Sequence, residues 1–256
     1  MLSIYTLYNQ PLTSLGIGKT LINTLNAHCY NVAQTDAHYQ EALLNSDVLI
    51  PDGISIIWAA RWLSLGVKET RQSLKLQKIA GADLFFFEME RLQNSVQTRQ
   101  HLSLKTPKCF FLGSSESTLA KIKERAAREY PGVNVQTYSP PYKSVFTIED
   151  NKAMLDVINA FQPDVLMVGM TAPKQEKWAY QHFEQLEVGH VCCIGAVFDF
   201  YAGSVNRAPK WVIKIGFEWL YRLIKEPRRM WRRYLIGNTK FIYYVIKEKF
   251  ALYKAK

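Results

Sequence analysis

Short, entirely apolar runs alternate with longer amphipathic stretches along most of this 256-residue chain. Runs such as DVLI, KCFFL and DVLMVG have the length of strands, but they lack the apolar–polar alternation of a half-exposed strand. The stretches between them carry apolar residues at helical spacing. Because strands that are apolar on both faces must be covered on both faces, the pattern predicts a parallel sheet between two layers of helices.

The order of these segments predicts an α/β fold: a Rossmann-like, mostly parallel sheet with helices on both faces, followed by a C-terminal helical appendage. The segment HVCCIGAVFDF is interpreted as the last strand. Pro209 can open the first helix of the appendage, and Pro227 ends or kinks that helix. Predicted strands cover residues 19–26, 47–53, 108–115, 164–170 and 190–200, another begins near 133, and late helices cover 228–236 and 239–252.

The positive charge of the chain is concentrated in its last part. The formal net charge is +10, yet residues 204–256 hold 14 Lys and Arg against 3 Asp and Glu, whereas the residues before them hold 18 against 19. The sequence therefore predicts an α/β domain over residues 1–203 and a basic, aromatic helical portion over 204–256. Such a portion is typical of contact with an anionic partner; a merely solvated basic face is the alternative.

Several kinds of protein find no support in the sequence. No apolar run reaches the roughly 18 residues of a membrane-spanning helix, and the first residues lack the features of a secretory signal. The motif SLGIGKT has Thr13 where a phosphate-binding P-loop needs glycine, and no GxGxxG fingerprint occurs. The four cysteines are interpreted as reduced thiols, and the five histidines are scattered. We therefore expect no metal and no cofactor.

Polar residues follow several of the predicted strands. In open parallel sheets, ligands bind beyond the carboxyl ends of the strands, so these residues are expected to meet in one crevice. They are Thr24, Asn26, Asp52, Gly113 to Ser115, Thr171 to Gln175, and Asp199.

Two of these positions have both a chemical and a structural interpretation. Pro51 and Gly53 hold Asp52 in a turn, where a partly desolvated carboxylate can serve as a general base; an N-cap for the next helix is the alternative. Pro173 begins a helix whose first turn contains Lys174 and Gln175. Free amides there favour an anion, although ordinary helix initiation explains the same residues.

Longer motifs, in order along the chain, resemble one known family. They are PDGISIIWAARWL, GADL, GMTAPKQEKW, GAVFDFYAGSVNRAPKW and GFEWLYRLIKEPRRMWRRYLIGN, and the match extends over residues 24–238. This set resembles the WecG/TagA/CpsF family of bacterial glycosyltransferases. The resemblance implies an inverting, metal-independent transferase that takes a hexose, N-acetylmannosamine or a related sugar, from a UDP-sugar. The implied acceptor is a sugar on a polyprenyl diphosphate, used for surface polysaccharide or wall polymer synthesis.

The same resemblance suggests roles for individual residues. It makes Asp52 the general base. At two positions the chain departs from the family: Lys78 in QKIAG stands where arginine is common, and Thr171 stands where glycine is frequent. Lysine keeps the charge but loses the bidentate geometry of arginine. The residues expected to bind substrate are Thr24, Asn26, Lys78, Gln175 and Asp199.

The basic portion is expected to have two roles. Without a metal, the charge on a departing diphosphate must be met by cationic side chains, and we select Arg222, Arg229 and Arg232 for this contact. The remaining basic and aromatic residues are expected to lie on an anionic membrane surface. The enzyme would then be cytoplasmic and peripheral at the inner face of the bacterial plasma membrane.

Three alternatives stay open at this point. A nucleic-acid-binding protein with a basic helical arm would explain the tail but leave the crevice residues unused, so we expect no nucleic acid as partner. A sugar-nucleotide hydrolase or epimerase would use the crevice without a lipid acceptor. The apolar tail helices could also mediate formation of a homo-oligomer when no membrane is present.

Overall fold

The computed structural model describes residues 2–65, 76–100 and 106–254. Within these residues, six parallel strands form one sheet in the order β2-β1-β6-β5-β3-β4. The strands are β1 (Thr20–Leu25), β2 (Val48–Pro51), β3 (Lys108–Gly113), β4 (Asn134–Tyr138), β5 (Val165–Gly169) and β6 (His190–Cys193). The predicted α/β fold with a parallel sheet is therefore confirmed.

The helices cover both faces of this sheet and continue beyond it. Up to the last strand they are α1 (Ala27–Ala33), α2 (Ala37–Leu44), α3 (Ile54–Ser64), α4 (Gly81–Gln100), α5 (Glu116–Glu129), α6 (Ile148–Phe161) and α7 (Lys174–His182). After it come α8 (Ala196–Tyr201), α9 (Lys210–Lys214), α10 (Glu218–Lys225), α11 (Pro227–Trp231) and α12 (Gly237–Lys254), with a π-helical turn at Arg232–Ile236 between the last two.

Neighbouring residues of each strand enter different cores, which is why the strands are apolar throughout. Phe111 of β3 packs with α4, α5 and α8, whereas Phe110 and Leu112 pack with α6 and α7 on the opposite face. All three side chains are buried. A third core, between α1, α2, α3 and α12, covers the ends of β1 and β2. The two-layer expectation from the sequence is met.

The segment after Cys193 differs from the prediction. HVCCIGAVFDF does not continue as a strand: β6 ends at Cys193, and α8 begins at Ala196. Val197, Phe198 and Tyr201 are buried at helical spacing on one side of α8. The helix also crosses closely over β5, because a Cβ at Gly169 would lie 2.8 Å from the Phe198 ring. Asp199 is therefore on a helix and not at a strand end.

After β1, where the sequence predicts one helix through about Asn45, the structure also differs. It forms two helices, since the side chain of Asp36 accepts a hydrogen bond from the Tyr39 amide and starts α2 separately.

The last helix is packed firmly against the rest of the chain. Phe241 and Val245 of α12 are buried in the core that contains Tyr30 of α1. The Glu248 carboxylate accepts hydrogen bonds from the Leu2 amide (2.6 Å), the Ser3 amide (2.7 Å) and the Tyr30 hydroxyl (3.0 Å). The neighbouring Lys249 ammonium donates to the Trp62 and Leu63 carbonyls at the end of α3. The predicted C-terminal helical appendage is present, and α12 shares a core with α1 and α3.

Candidate active site

A cavity of about 1110 Å³ lies at the carboxyl ends of four adjacent strands, β2, β1, β6 and β5. Asp52 lines it directly after β2, Thr24 and Asn26 at the end of β1, Gly195 after β6 and Thr171 after β5. This is the edge at which open parallel sheets bind ligands. The end of β3, which the sequence also pointed to, does not line the cavity; Ser115 there is the N-cap of α5.

The cavity brings together most of the side chains selected from the sequence. Arg232 is not among the lining residues, and its guanidinium lies 5.3 Å from the Trp231 ring centre instead. The side chain of Arg229 lies outside the part of the structure that is described. The selected residues that do line the cavity are Thr24, Asn26, Asp52, Lys78, Gln175, Asp199 and Arg222.

Asp52 projects into the cavity from a turn between β2 and α3. Its amide donates to the Leu25 carbonyl at 2.8 Å, which continues the β1–β2 ladder by one bond. The N-cap of α3 is Gly53, at a φ of +115° that favours glycine, so the interpretation of Asp52 as an N-cap is wrong. Burial raises the pKa of the Asp52 carboxyl to about 6. A carboxylate with that pKa is suited to accept a proton near neutral pH.

Charged groups from two distant segments surround this carboxylate. Glu218 of α10 raises the pKa of Asp52 further, whereas the cations Lys78 and Arg233 lower it. The Glu218 carboxylate lies 3.8 Å from the Lys78 ammonium and 3.4 Å from the Arg207 guanidinium. Glu218 therefore connects the basic tail to the segment before α4, at the site itself.

Two arginines of the tail supply positive charge to the cavity. Arg222 follows Glu218 by one helical turn, and its guanidinium lies 5.2 Å from the Phe200 ring centre. Its buried Nε has no hydrogen-bond partner among the described residues. Arg233 also lines the cavity. Burial, and to a smaller extent the positive charge of Arg233, lower the pKa of His28 to about 4, so His28 is neutral at pH 7.

Gln175 and Glu176 form a buried polar pair at the start of α7. The Gln175 Nε2 group donates to Glu176 Oε1 at 2.9 Å, and burial raises the pKa of Glu176 to about 7. Gln175 Oε1 and Glu176 Oε2 are buried without a partner among the described residues. Because a carboxylate attracts the NH₂ end of an amide and repels its oxygen, Glu176 orients Gln175 so that Oε1 stays available as an acceptor. A Cβ at Gly195 would lie 2.7 Å from that oxygen.

Three further predictions at this site are refined by the structure. Lys174 does not line the cavity; its ammonium lies over the Phe146 ring and donates to the Lys143 carbonyl. Thr171 has a φ of +69°, in the left-handed region, which gives a physical reason for glycine to be preferred at this position. Asn26 caps α1 by accepting from the His28 and Cys29 amides and lines the cavity as well.

Sequence reasoning missed Glu176, Arg233, Glu218 and His28 as cavity residues. Glu176 stands beside Gln175 in PKQEK, but the sequence does not show that both side chains turn inward. Arg233 directly follows Arg232, and the sequence alone does not show which of these two neighbouring arginines lines the cavity. Only the fold brings Glu218 to Asp52.

Neither a metal-binding group nor a membrane-spanning helix occurs within the described residues. Nowhere in residues 2–65, 76–100 and 106–254 do three or more His, Cys, Asp and Glu side chains form a group that could hold a metal ion. Over the same ranges, no helix combines the length and apolar character needed to cross a bilayer.

Comparison with known proteins identifies the family. Residues 8–255 match the model of the glycosyl transferase WecG/TagA/CpsF family. A protein of Bacillus spizizenii, named N-acetylglucosaminyldiphosphoundecaprenol N-acetyl-beta-D-mannosaminyltransferase, is 28% identical over 230 residues, which are 90% of this chain and 80% of that protein. Proteins of the same name from Bacillus subtilis and Staphylococcus aureus are 28% and 27% identical, over 90% and 92% of this chain and 80% and 83% of their own lengths. With a family match over nearly its whole length, this chain belongs to the WecG/TagA/CpsF family and is a glycosyltransferase.

Proposed function

We propose that the enzyme transfers N-acetylmannosamine or a related hexose from a UDP-sugar to a sugar on a polyprenyl diphosphate, with inversion and without a metal ion. The observation that carries this proposal is the position of Asp52 in a cavity shared with Gln175, Asp199 and tail arginines. The names of the relatives in Bacillus and Staphylococcus, which specify an N-acetylmannosaminyl group and a diphosphoundecaprenol-linked acceptor, support the choice of substrates.

The proposed reaction is a single displacement at the anomeric carbon. An acceptor hydroxyl attacks that carbon while its proton passes to the Asp52 carboxylate, and the bond from carbon to the UDP oxygen breaks. Attack opposite the leaving group inverts the centre. A base with a pKa of about 6 is ionised at neutral pH and still accepts a proton as the hydroxyl becomes acidic in the transition state. General-base catalysis of this kind contributes roughly 10²- to 10⁴-fold to the rate.

The departing UDP needs positive charge near its diphosphate. Arg222 and Arg233 line the cavity, and the buried Nε of Arg222 has no partner within the described residues, so it is ready to donate to a phosphate oxygen. Lys78 adds a third cation, shared with Glu218 at 3.8 Å. Such fixed cations stabilise charge where it develops, as a bound metal ion does in other transferases.

The basic portion is also proposed to hold the enzyme at the inner, cytoplasmic face of the plasma membrane. Exposed Trp211, Ile215, Phe217 and Ile224 accompany its cations, and basic, aromatic helices of this kind bind anionic lipid surfaces. The division into a catalytic part over 1–203 and a lid and membrane portion over 204–256 is part of this proposal. Because α12 shares a core with α1, the movable part of that lid is proposed to end before Gly237.

A transfer assay with purified protein tests this function. UDP release is measured with a panel of UDP-sugars and N-acetylglucosaminyl diphosphate on a polyprenyl chain. UDP-N-acetylmannosamine is expected to give turnover that requires the acceptor and persists in EDTA. Release of free sugar without acceptor would instead indicate a hydrolase, and a loss in EDTA that Mg²⁺ restores would contradict the metal-independent mechanism.

A further inference from the structure

The lining of the cavity combines two kinds of chemistry. Charged and polar groups surround Asp52, and large apolar side chains are supplied by Trp58 and Trp62 of α3 and by Ile242 and Ile246 of α12. We call these four residues the apolar strip. They belong to the same continuous cavity as the catalytic groups.

The apolar strip is open to solvent although its side chains are large and apolar. Exposure is 63% for Trp58, 40% for Trp62, 56% for Ile242 and 41% for Ile246. Within each helix the two residues are four positions apart, so they lie above one another and form a row. Both rows contribute side chains to the wall of one cavity, and a ligand that covers them removes apolar surface from water.

Two further exposed apolar residues, outside the lining of the cavity, follow these rows along the chain. Phe250, one turn beyond Ile246, is 64% exposed, and Leu65 follows α3 at 58% exposure. Lys249 holds the two helices together here, because its ammonium donates to the Trp62 and Leu63 carbonyls. From Ile242 to Phe250 the row on α12 is roughly 12 Å long. That length corresponds to the first few isoprene units of an extended chain.

We propose that the apolar strip binds the polyprenyl chain of the acceptor next to its diphosphate. The inference rests on the proposed function, and it adds a site for the lipid itself, distinct from contact with a membrane surface. Continuity with the proposed catalytic cavity selects this occupant: the names of the relatives specify a diphosphoundecaprenol-linked acceptor, and the exposed apolar strip lies in the wall of the cavity that contains Asp52. The charged and the apolar lining residues thus correspond to the two halves of one amphipathic substrate.

Two acceptors with the same head group separate this site from the catalytic one. Both carry N-acetylglucosaminyl diphosphate, one on a polyprenyl chain and one on an ethyl group, and both are assayed with UDP-N-acetylmannosamine in the same non-ionic detergent. The double variant Ile242→Asn/Ile246→Asn is expected to raise the ratio of polyprenyl KM to ethyl KM about tenfold, because contacts worth several methylene groups are lost. Trp58→Ser is a second variant, on the other helix, with the same expected direction.

Tyr243→Ser is the matched control. Tyr243 lies on the same helix and is 60% exposed, but it does not line the cavity, so the KM ratio is expected to stay unchanged. An unchanged ratio in the strip variants, or an equal rise in the control, overturns the proposal. Melting temperatures verify that each variant is folded.

A second measurement keeps the two proposals distinguishable. If wild-type enzyme turns over neither acceptor, the proposed function fails. Lipid binding to the apolar strip is then tested by a binding measurement alone. Quenching of tryptophan fluorescence by polyprenyl monophosphate in detergent is then compared between wild type and Ile242→Asn/Ile246→Asn. Equal affinity for the two proteins overturns the strip, whereas weaker binding by the variant supports it.

Discussion

The ionisation of Asp52 is expected to control the pH dependence of transfer. Burial raises the pKa of this carboxyl to about 6, and only its ionised form can accept the acceptor proton. About one tenth of the enzyme is then ionised at pH 5 and about nine tenths at pH 7. The value of kcat/KM is therefore expected to rise about tenfold between these pH values and to level off above pH 7.

Charged neighbours of Asp52 allow a separate test, because each of them shifts the pKa of Asp52 in a known direction. Glu218 raises the pKa of Asp52, so Glu218→Gln is expected to move the acidic limb of the profile to lower pH. Lys78 lowers the same pKa, so Lys78→Met is expected to move the limb to higher pH. Since Glu218 also pairs with Lys78 and Arg207, its removal leaves both cations free to act on Asp52 and strengthens the expected downward shift.

The measurement is initial-rate UDP release from about pH 4.5 to 8.5 at constant ionic strength, over the range in which a carboxyl of this pKa titrates. Arg232→Gln, outside the cavity, serves as the charge-change control and is expected to leave the midpoint in place. A profile that is flat between pH 5 and 7, or a shift to higher pH in Glu218→Gln together with a shift to lower pH in Lys78→Met, would refute Asp52 as the titrating base.

Three other predictions follow from the site. Asp52→Asn is expected to lower kcat about 10²- to 10⁴-fold and to leave UDP binding unchanged. Ionisation of the buried wild-type carboxyl destabilises the fold as the pH rises through about 6. The melting temperature of the variant is therefore expected to exceed that of wild type at pH 8 but not near pH 4. Arg233→Gln is expected to weaken UDP binding about tenfold or more by calorimetry, whereas Arg232→Gln changes it little. Glu176→Leu is expected to raise a substrate KM about tenfold, because Gln175 loses the acceptor that orients it. In Glu176→Gln the KM is expected to stay near the wild-type value, since a glutamine oxygen still accepts from Gln175. Equal KM values in both variants would contradict the orienting role.

The sequence was sufficient to predict the sheet and the edge at which the site lies. Strands apolar on both faces have one common arrangement, and the polar residues that follow β1, β2 and β5 were correctly expected to meet. The segment containing Asp199 was misjudged because HVCCIGAVFDF is apolar almost throughout, as buried strands are. In the fold it packs as a helix with Phe198 close to Gly169, a contact between residues distant in the chain.

The charged surroundings of Asp52 could not be predicted in the same way. Glu218 and Arg233 reach the cavity through the path of the tail helices, and that path depends on tertiary packing and on a π-helical turn. The resemblance to a family pointed to Asp52 and Gln175, but not to the charged and polar groups that surround them in the fold.

The hydrogen bond from the Leu2 amide to Glu248 joins residues 246 positions apart. On the ribosome, therefore, the wall of the cavity that α12 provides cannot form until the rest of the domain has already been made. Until then, the apolar surfaces of α1 and α3 stay uncovered in the nascent chain. Early intermediates are accordingly expected to lack the proposed lipid site while exposing the surface on which it is later built, and such exposed apolar surface favours aggregation.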